Sequence, residues 1–298
     1  MMSPTVIDEV VMKQNLLKHI EENMSRFSKR QKQISIYLLE NYDKAAYMTA
    51  SKLGSIVKVS ESTVVRYANE LGFDGYPQLQ SALQELTKTN LTAYQRVEVT
   101  NSLIGDGDVL KKVLTSDAER IKITLDEIDH SAFEQSVEKI CTARKIYVIG
   151  IRSSATLASF LSHSLNVIFD NVISLEALSR DDLFEQILGI SEEDVLVAIS
   201  FPRYSNRVIR AVDFAESHGA NVIAITDSNT APIAEKANEV LVARSDMISY
   251  VDSLVAPLSL INALIIGISK RMHDRLEKRL QTLEAIWDEY QVYDKSHS

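Results

Sequence analysis

Apolar positions follow two different rhythms along this chain. Over residues 10–86 they recur at helical spacing with no β-rich run. Ile34, Leu38 and Leu39 give one buried face to a helix beginning near Ser28. In 48–76, MTASKLGSIVKVSESTVVRYANELGFDGY, Thr49 is a good N-cap for a helix running to Val57, with Ala50, Leu53 and Val57 facing inward. Lys58 and Val59 form a tight turn, Ser60 caps a second helix from Glu61 to about Leu71, and Gly72 closes it as a left-handed terminator. From residue 145 the rhythm changes to short Val/Ile-rich runs: KIYVIG (145–150), NVISL (171–175), DVLVAIS (194–200), NVIAIT (221–226) and EVLVA (239–243). Unbroken apolar runs of this kind suit strands buried on both faces. Helical segments near 153–168, 179–189, 204–218 and 231–236 separate them. The pattern predicts an all-α domain followed by a doubly wound α/β domain with a five-stranded parallel sheet.

Two later segments complete the pattern. LVAPLSLINALIIGIS (254–269) is shorter than the roughly 20 residues a membrane span needs and contains Pro257 and Asn262. It reads as a buried helix. In the tail, Leu276, Leu280, Leu283, Trp287 and Tyr290 are spaced by 4, 3, 4 and 3. That heptad-like stripe suits packing on its own domain or on a partner subunit.

Composition agrees with helix and parallel sheet: 9 Gly and 5 Pro in 298 residues leave little room for a loop-rich all-β fold. One cysteine, Cys141, excludes an intrachain disulfide and a cysteine-based zinc cluster and fits a reducing compartment. Asp8, Glu9, Glu21 and Glu22 make the first 24 residues unlike a signal or transit peptide, so a cytoplasmic protein is expected. The formal charge of −9 argues against nucleic acid until it is divided by position. Residues 24–90 hold nine Lys and Arg against six Asp and Glu, a net of +3, whereas 91–298 hold 21 against 31, a net of −10. Residues 87–108, TKTNLTAYQRVEVTNSLIGDGD, read as the linker between two bodies with different electrostatic tasks.

On the second helix of 48–76, Val64, Ala68 and Leu71 form a compact apolar face, and Ser62, Thr63, Arg66, Asn69 and Glu70 lie opposite. Short polar groups crowded toward a helix N-terminus are what a recognition helix offers the major groove. An ordinary amphipathic helix with a solvated face has the same outline. The Ala50, Val59-Ser60, Thr63-Val64-Val65-Arg66 pattern favours a helix-turn-helix, with Gly54 and Lys58 as departures where Ala and Gly are frequent. The candidate DNA contacts are Thr49, Ser51, Lys58, Ser60, Ser62, Thr63, Arg66 and Tyr67. Two predicted strand ends carry serine-rich loops, Gly150-Ile151-Arg152-Ser153-Ser154-Ala155 and Ser200-Phe201-Pro202-Arg203-Tyr204-Ser205-Asn206. Hydroxyls, helix N-terminal amides and one Arg in each loop are the parts of an anion site. The alternative is that Ser153 and Ser205 only cap helices. The candidate ligand residues are Gly150, Arg152, Ser153, Ser154, Ser200, Arg203 and Ser205.

Taken together, Val59 to Arg66 with Leu71-Gly72-Phe73 and Tyr76, Ile149-Gly150-x-x-Ser153-Ser154, Ala198-Ile199-Ser200 and Gly219 to Asp227 resemble the RpiR-type transcriptional regulators, over roughly residues 12–290. The resemblance implies a helix-turn-helix DNA-binding domain (12–88), a linker and connecting helix (89–127) and a flavodoxin-like sugar isomerase (SIS) domain with a C-terminal helix (128–290). It implies a dimer or tetramer that binds an inverted-repeat operator and senses a phosphorylated sugar, most simply as a repressor of carbohydrate genes. No cofactor, metal or membrane is expected. Arg152 stands where the family commonly has the second Gly of Gly-x-Gly-x-Ser, and Pro202-Arg203-Tyr204-Ser205 replaces Ser-Gly-x-Thr. Both departures add guanidinium groups, which could strengthen phosphate binding, fill the pocket or change the ligand class. Two other readings stay open: a sugar-phosphate isomerase, and a DNA-binding protein whose α/β body only oligomerises. Isomerisation needs a positioned base. Neither serine loop supplies Glu or His, and His19, His130, His163, His218, His273 and His297 have no ligand spacing.

Overall fold

The structure is a computed structural model that describes residues 16–90, 96–97, 108–175, 182–245 and 252–293. The first 15 residues and most of the expected linker lie outside the described residues. The chain divides into two compact units, one of residues 1–109 with 247–250 and one of 110–246 with 251–298.

Among its described residues the first unit has helices and no strand: α1 (Leu16–Asn23), α2 (Lys29–Ala45), α3 (Ala50–Val57), α4 (Glu61–Glu70) and α5 (Tyr76–Asn90). Local chemistry sets the ends. Ser28 and Gln31 form a reciprocal capping box at α2. Thr49 accepts from the Lys52 amide at 3.2 Å to start α3, and Ser60 accepts from the Thr63 amide at 3.3 Å to start α4. Between α3 and α4 the chain turns on Lys58, which is left-handed at φ 57°. The Val59 amide then donates to the Gly54 carbonyl at 2.9 Å. A Cβ on Gly54 would stand 2.8 Å from the Val59 carbonyl oxygen, so the close approach of the turn accounts for glycine there. Leu38, Leu53, Val64, Ala68, Leu71 and Leu79 meet in one core.

The second unit contains α6 (Val109–Glu127, which begins one residue before the boundary), α7 (His130–Thr142), β1 (Ile146–Gly150), α8 (Ser153–Ile168), β2 (Val172–Leu175), α9 (Asp182–Ile187), β3 (Val195–Ile199), α10 (Asn206–Ser217), β4 (Asn221–Thr226), β5 (Glu239–Val242), α11 (Val255–Arg271) and α12 (His273–Glu289). All five strands pair in parallel, in the order β2-β1-β3-β4-β5. Alternation sorts each strand between two cores. Ile146, Val148, Val195 and Val197 pack with α7, α8 and α11, while Tyr147, Ile149, Leu196 and Ala198 pack with α9 and α10. α11, the apolar segment, buries Ala256, Pro257, Leu260, Ile261, Leu264 and Ile268 against the first of these. Among the described residues no single helix is long and apolar enough to cross a membrane.

One expected element is absent. Residues 231–236 form turns rather than a helix, closed by bonds such as the Ala234 amide to the Ala231 carbonyl at 2.8 Å. The amide hydrogen bonds here span three residues, Ala231 to Ser228, Ala234 to Ala231 and Ala237 to Ala234, so no α-helical ladder forms.

Candidate functional site

The strand order places the two serine loops together. β1 and β3 are neighbours, with Gly150 opposite Ile199, while the chain reaches β2 on one side and β4 on the other. This is the switch point of an open parallel sheet, where a crevice opens beyond the carboxyl ends of the strands.

At the end of β1, Gly150 permits the loop: a Cβ there would lie 2.3 Å from the Ser154 carbonyl oxygen. Arg152 follows at φ 60° and ψ −124°, a conformation almost confined to glycine, and gives α8 no side-chain cap. Ser153 is exposed and Ser154 buried. At the end of β3, Ser200 is buried, Arg203 is left-handed at φ 65°, and Ser205 opens α10 without a side-chain cap bond. Among the described residues neither exposed guanidinium has an ion-pair or hydrogen-bond partner. Two helix N-termini with uncapped amides and two available arginines thus follow the carboxyl ends of the neighbouring strands β1 and β3.

The next strand end braces the second loop, a feature that loop composition did not reveal. The Tyr204 hydroxyl donates to Asp227 Oδ1 at 2.9 Å, and the Thr226 hydroxyl donates to the Ser200 carbonyl at 2.7 Å. Asp227 is buried, and its Oδ1 lies 3.3 Å from Thr226 Oγ1. The Thr226-Asp227 pair after NVIAI was the available signal, but its partner lies 23 residues away in sequence.

In the helical unit the eight candidate contacts separate. Ser51, Lys58, Ser62 and Arg66 are exposed. Arg66 donates through Nε to the Ser62 carbonyl at 3.2 Å, which leaves its other guanidinium nitrogens on the outer side of α4. Thr49 and Ser60 are exposed but serve as caps. Thr63 and Tyr67 differ from the expectation of an outward face. Thr63 is buried with its hydroxyl 2.8 Å from Ser60 Oγ. Tyr67 is wholly buried, 2.8 Å from the Ser35 hydroxyl and tilted against Phe27 at 5.2 Å. Burial pushes its phenol well above the usual range, although the Ser35 bond opposes the shift. Tyr67 is held inward by Ser35 of α2 and by Phe27 just before that helix, and Thr63 turns to the capping Ser60. Among the described residues no group of three or more His, Cys, Asp or Glu could hold a metal ion.

Family comparisons match these two bodies. The helix-turn-helix domain of the rpiR family matches residues 14–89, and the SIS domain matches residues 139–267. The chain belongs to the RpiR family. An uncharacterised HTH-type transcriptional regulator of Haemophilus influenzae is 25% identical over 232 residues, covering 76% of this chain and 79% of that protein. The HTH-type transcriptional regulator HexR of Escherichia coli is 24% identical over 283 residues, covering 91% of this chain and 93% of HexR. Among solved structures, the sugar isomerase domain of an RpiR transcription factor from Sphaerobacter thermophilus superposes with a TM-score of 0.58 at 28% identity, over 60% of this chain and 99% of that one. The Vibrio vulnificus NanR protein complexed with ManNAc-6P shares the fold with a TM-score of 0.55 at 24% identity, over 91% of this chain and 99% of that one.

Proposed function

We propose that this RpiR-family chain is a cytoplasmic repressor of carbohydrate genes that binds an inverted-repeat operator through α3 and α4 as a paired molecule. A phosphorylated sugar in the β1/β3 crevice is its effector. The observation that carries the reading is the pairing, in one chain, of a helix-turn-helix unit with two uncapped helix N-termini and two partnerless arginines at a sheet switch point. A phosphate dianion suits this set, because amides and guanidinium groups supply positive charge within a body of net negative charge. The NanR protein named above was solved with a sugar phosphate, which supports the ligand class.

The crevice loops supply Ser and Arg rather than a base for aldose-ketose chemistry, and Asp227 is engaged by Tyr204, so the site is read as a sensor. A crevice plugged by its own ion pairs would need partners for Arg152 and Arg203, and the described residues provide none.

A thermal-shift panel of sugar phosphates tests the reading. A ligand at about 100 times its dissociation constant should stabilise the wild type by about 2.7 kcal/mol. Arg152→Gly and Arg203→Gly should fold at least as stably, because glycine takes both backbone conformations without strain, and should lose most of the ligand-induced shift. A wild type stabilised by no phosphosugar would overturn the reading.

A further inference from the structure

Arg203 holds a left-handed backbone that its side chain does not favour, and the loop around it shows what keeps it there. Residues 200–204 are fastened to the end of β4 at two points. At the first, the Ser200 amide donates to the Ile225 carbonyl at 3.1 Å and the Thr226 hydroxyl donates to the Ser200 carbonyl at 2.7 Å. At the second, the Tyr204 hydroxyl donates to Asp227 Oδ1 at 2.9 Å. Between these points Phe201, Pro202 and Arg203 make no hydrogen bond among the described residues. Phe201 is buried in the sheet core, and the ring of the buried Pro202 fixes its own φ. The turn therefore falls on Arg203, at φ 65°.

The fastening matters because of what stands at 203. Glycine, common at this place in related loops, would take the conformation without strain and would need no bond to enforce it. Arginine keeps it only where the surroundings over-determine the backbone, a circumstance that concentrates at ligand-binding sites. Tyr204 is half-buried, and Asp227 is 1% exposed, so the bond between them is shielded from water and anchored on a side chain that cannot swing out. Arg203 itself is exposed and directly precedes Tyr204.

We infer that Tyr204, acting through Asp227, is a positioning residue of the crevice: it holds Arg203 in the left-handed setting from which the guanidinium binds the phosphate of the effector. The inference rests on the phosphosugar reading of that crevice and names the bond that fixes its anion contact. The experiment is a double-variant cycle on the full-length protein with Tyr204→Phe, Arg203→Gly and both together. In urea melts without ligand, Arg203→Gly should raise the midpoint in the otherwise wild-type chain and raise it less beside Tyr204→Phe, because the loosened loop has already relaxed. Arg152→Gly, in the other loop, should shift the midpoint equally in both backgrounds. Binding is then measured with the sugar phosphate of the panel that stabilises the wild type most, and with inorganic phosphate to report the anion alone. Tyr204→Phe should weaken binding of both by about fivefold or more, and should cost no further affinity once residue 203 is glycine. Asp227→Asn, which keeps a carbonyl acceptor for the Tyr204 hydroxyl, should retain most of the affinity that Tyr204→Phe loses. Effects of Tyr204→Phe that are the same with arginine and with glycine at 203, in either measurement, show a merely structural bond and overturn the inference while leaving the crevice as the sensor. A wild type that binds neither inorganic phosphate nor any sugar phosphate of the panel overturns both.

Discussion

Lys58, Arg152 and Arg203 hold their backbone at φ 57°, 60° and 65°, where glycine would sit without strain. Each such residue costs about 1 kcal/mol or more. Evolution commonly tolerates that cost where a side chain acts on a ligand, and all three of these are cationic and exposed. Lys58→Gly separates the two effects. It should raise stability by about 1 kcal/mol in a urea melt and, on the proposed DNA-binding reading, flatten the dependence of log affinity on log salt by about 0.9, the loss of one phosphate contact. A flatter slope with no gain in stability would show that the turn carries no strain. Sequence showed the position of this turn but not its backbone angle, because Lys is compatible with several turn geometries. It also missed the inward setting of Thr63 and Tyr67. Helical angle places Thr63 with the polar face and Tyr67 on the margin of the apolar one, and only the contacts with Ser60 and with Ser35 and Phe27 turn them inward.

At the scale of elements, the caps Thr49 and Ser60 were legible because each acts on the amide three residues on. The strands were legible because both faces are buried and the runs are continuous. Long-range brackets were not. The tail helix α12 meets α11 at 97°, and only Leu276 of its apolar stripe packs on the sheet core. What anchors it is polar. Arg279 donates to the Val167 carbonyl at 2.8 Å at the end of α8 and to Asp170, and Arg275 donates to Asp170 at 3.2 Å. The Arg279 hydrogen bond, followed by the Arg279 and Arg275 charges, holds the Asp170 carboxyl below its ordinary value near 3.8. A carboxyl depressed in the folded state contributes stability that is present above its unfolded pKa and is lost as pH falls through the folded one. Hydrogen exchange in α12 should therefore accelerate below about pH 3.8 relative to α11, and Asp170→Asn should produce the same acceleration at neutral pH. Equal protection of α12 in the variant and the wild type would show that the apolar contacts alone hold it.

For the whole molecule, the total charge of −9 conceals a net of +3 on residues 24–90, which hold the helix-turn-helix, and a larger acidic remainder. So small a positive charge limits the phosphate contacts each subunit can make, and on the proposed function useful affinity comes from two subunits on two half-sites about one DNA turn apart. An effector acts on such a molecule only by binding its quaternary states unequally, and the resulting coupling is reciprocal. The most direct test is the anisotropy-measured affinity of the full-length protein for a DNA site obtained by in vitro selection, with and without a saturating sugar phosphate identified by thermal shift. The sugar phosphate should change the DNA dissociation constant by about 5- to 150-fold, and the DNA should change the sugar-phosphate affinity by the same factor. A DNA affinity identical in the presence and absence of the bound sugar phosphate would contradict it.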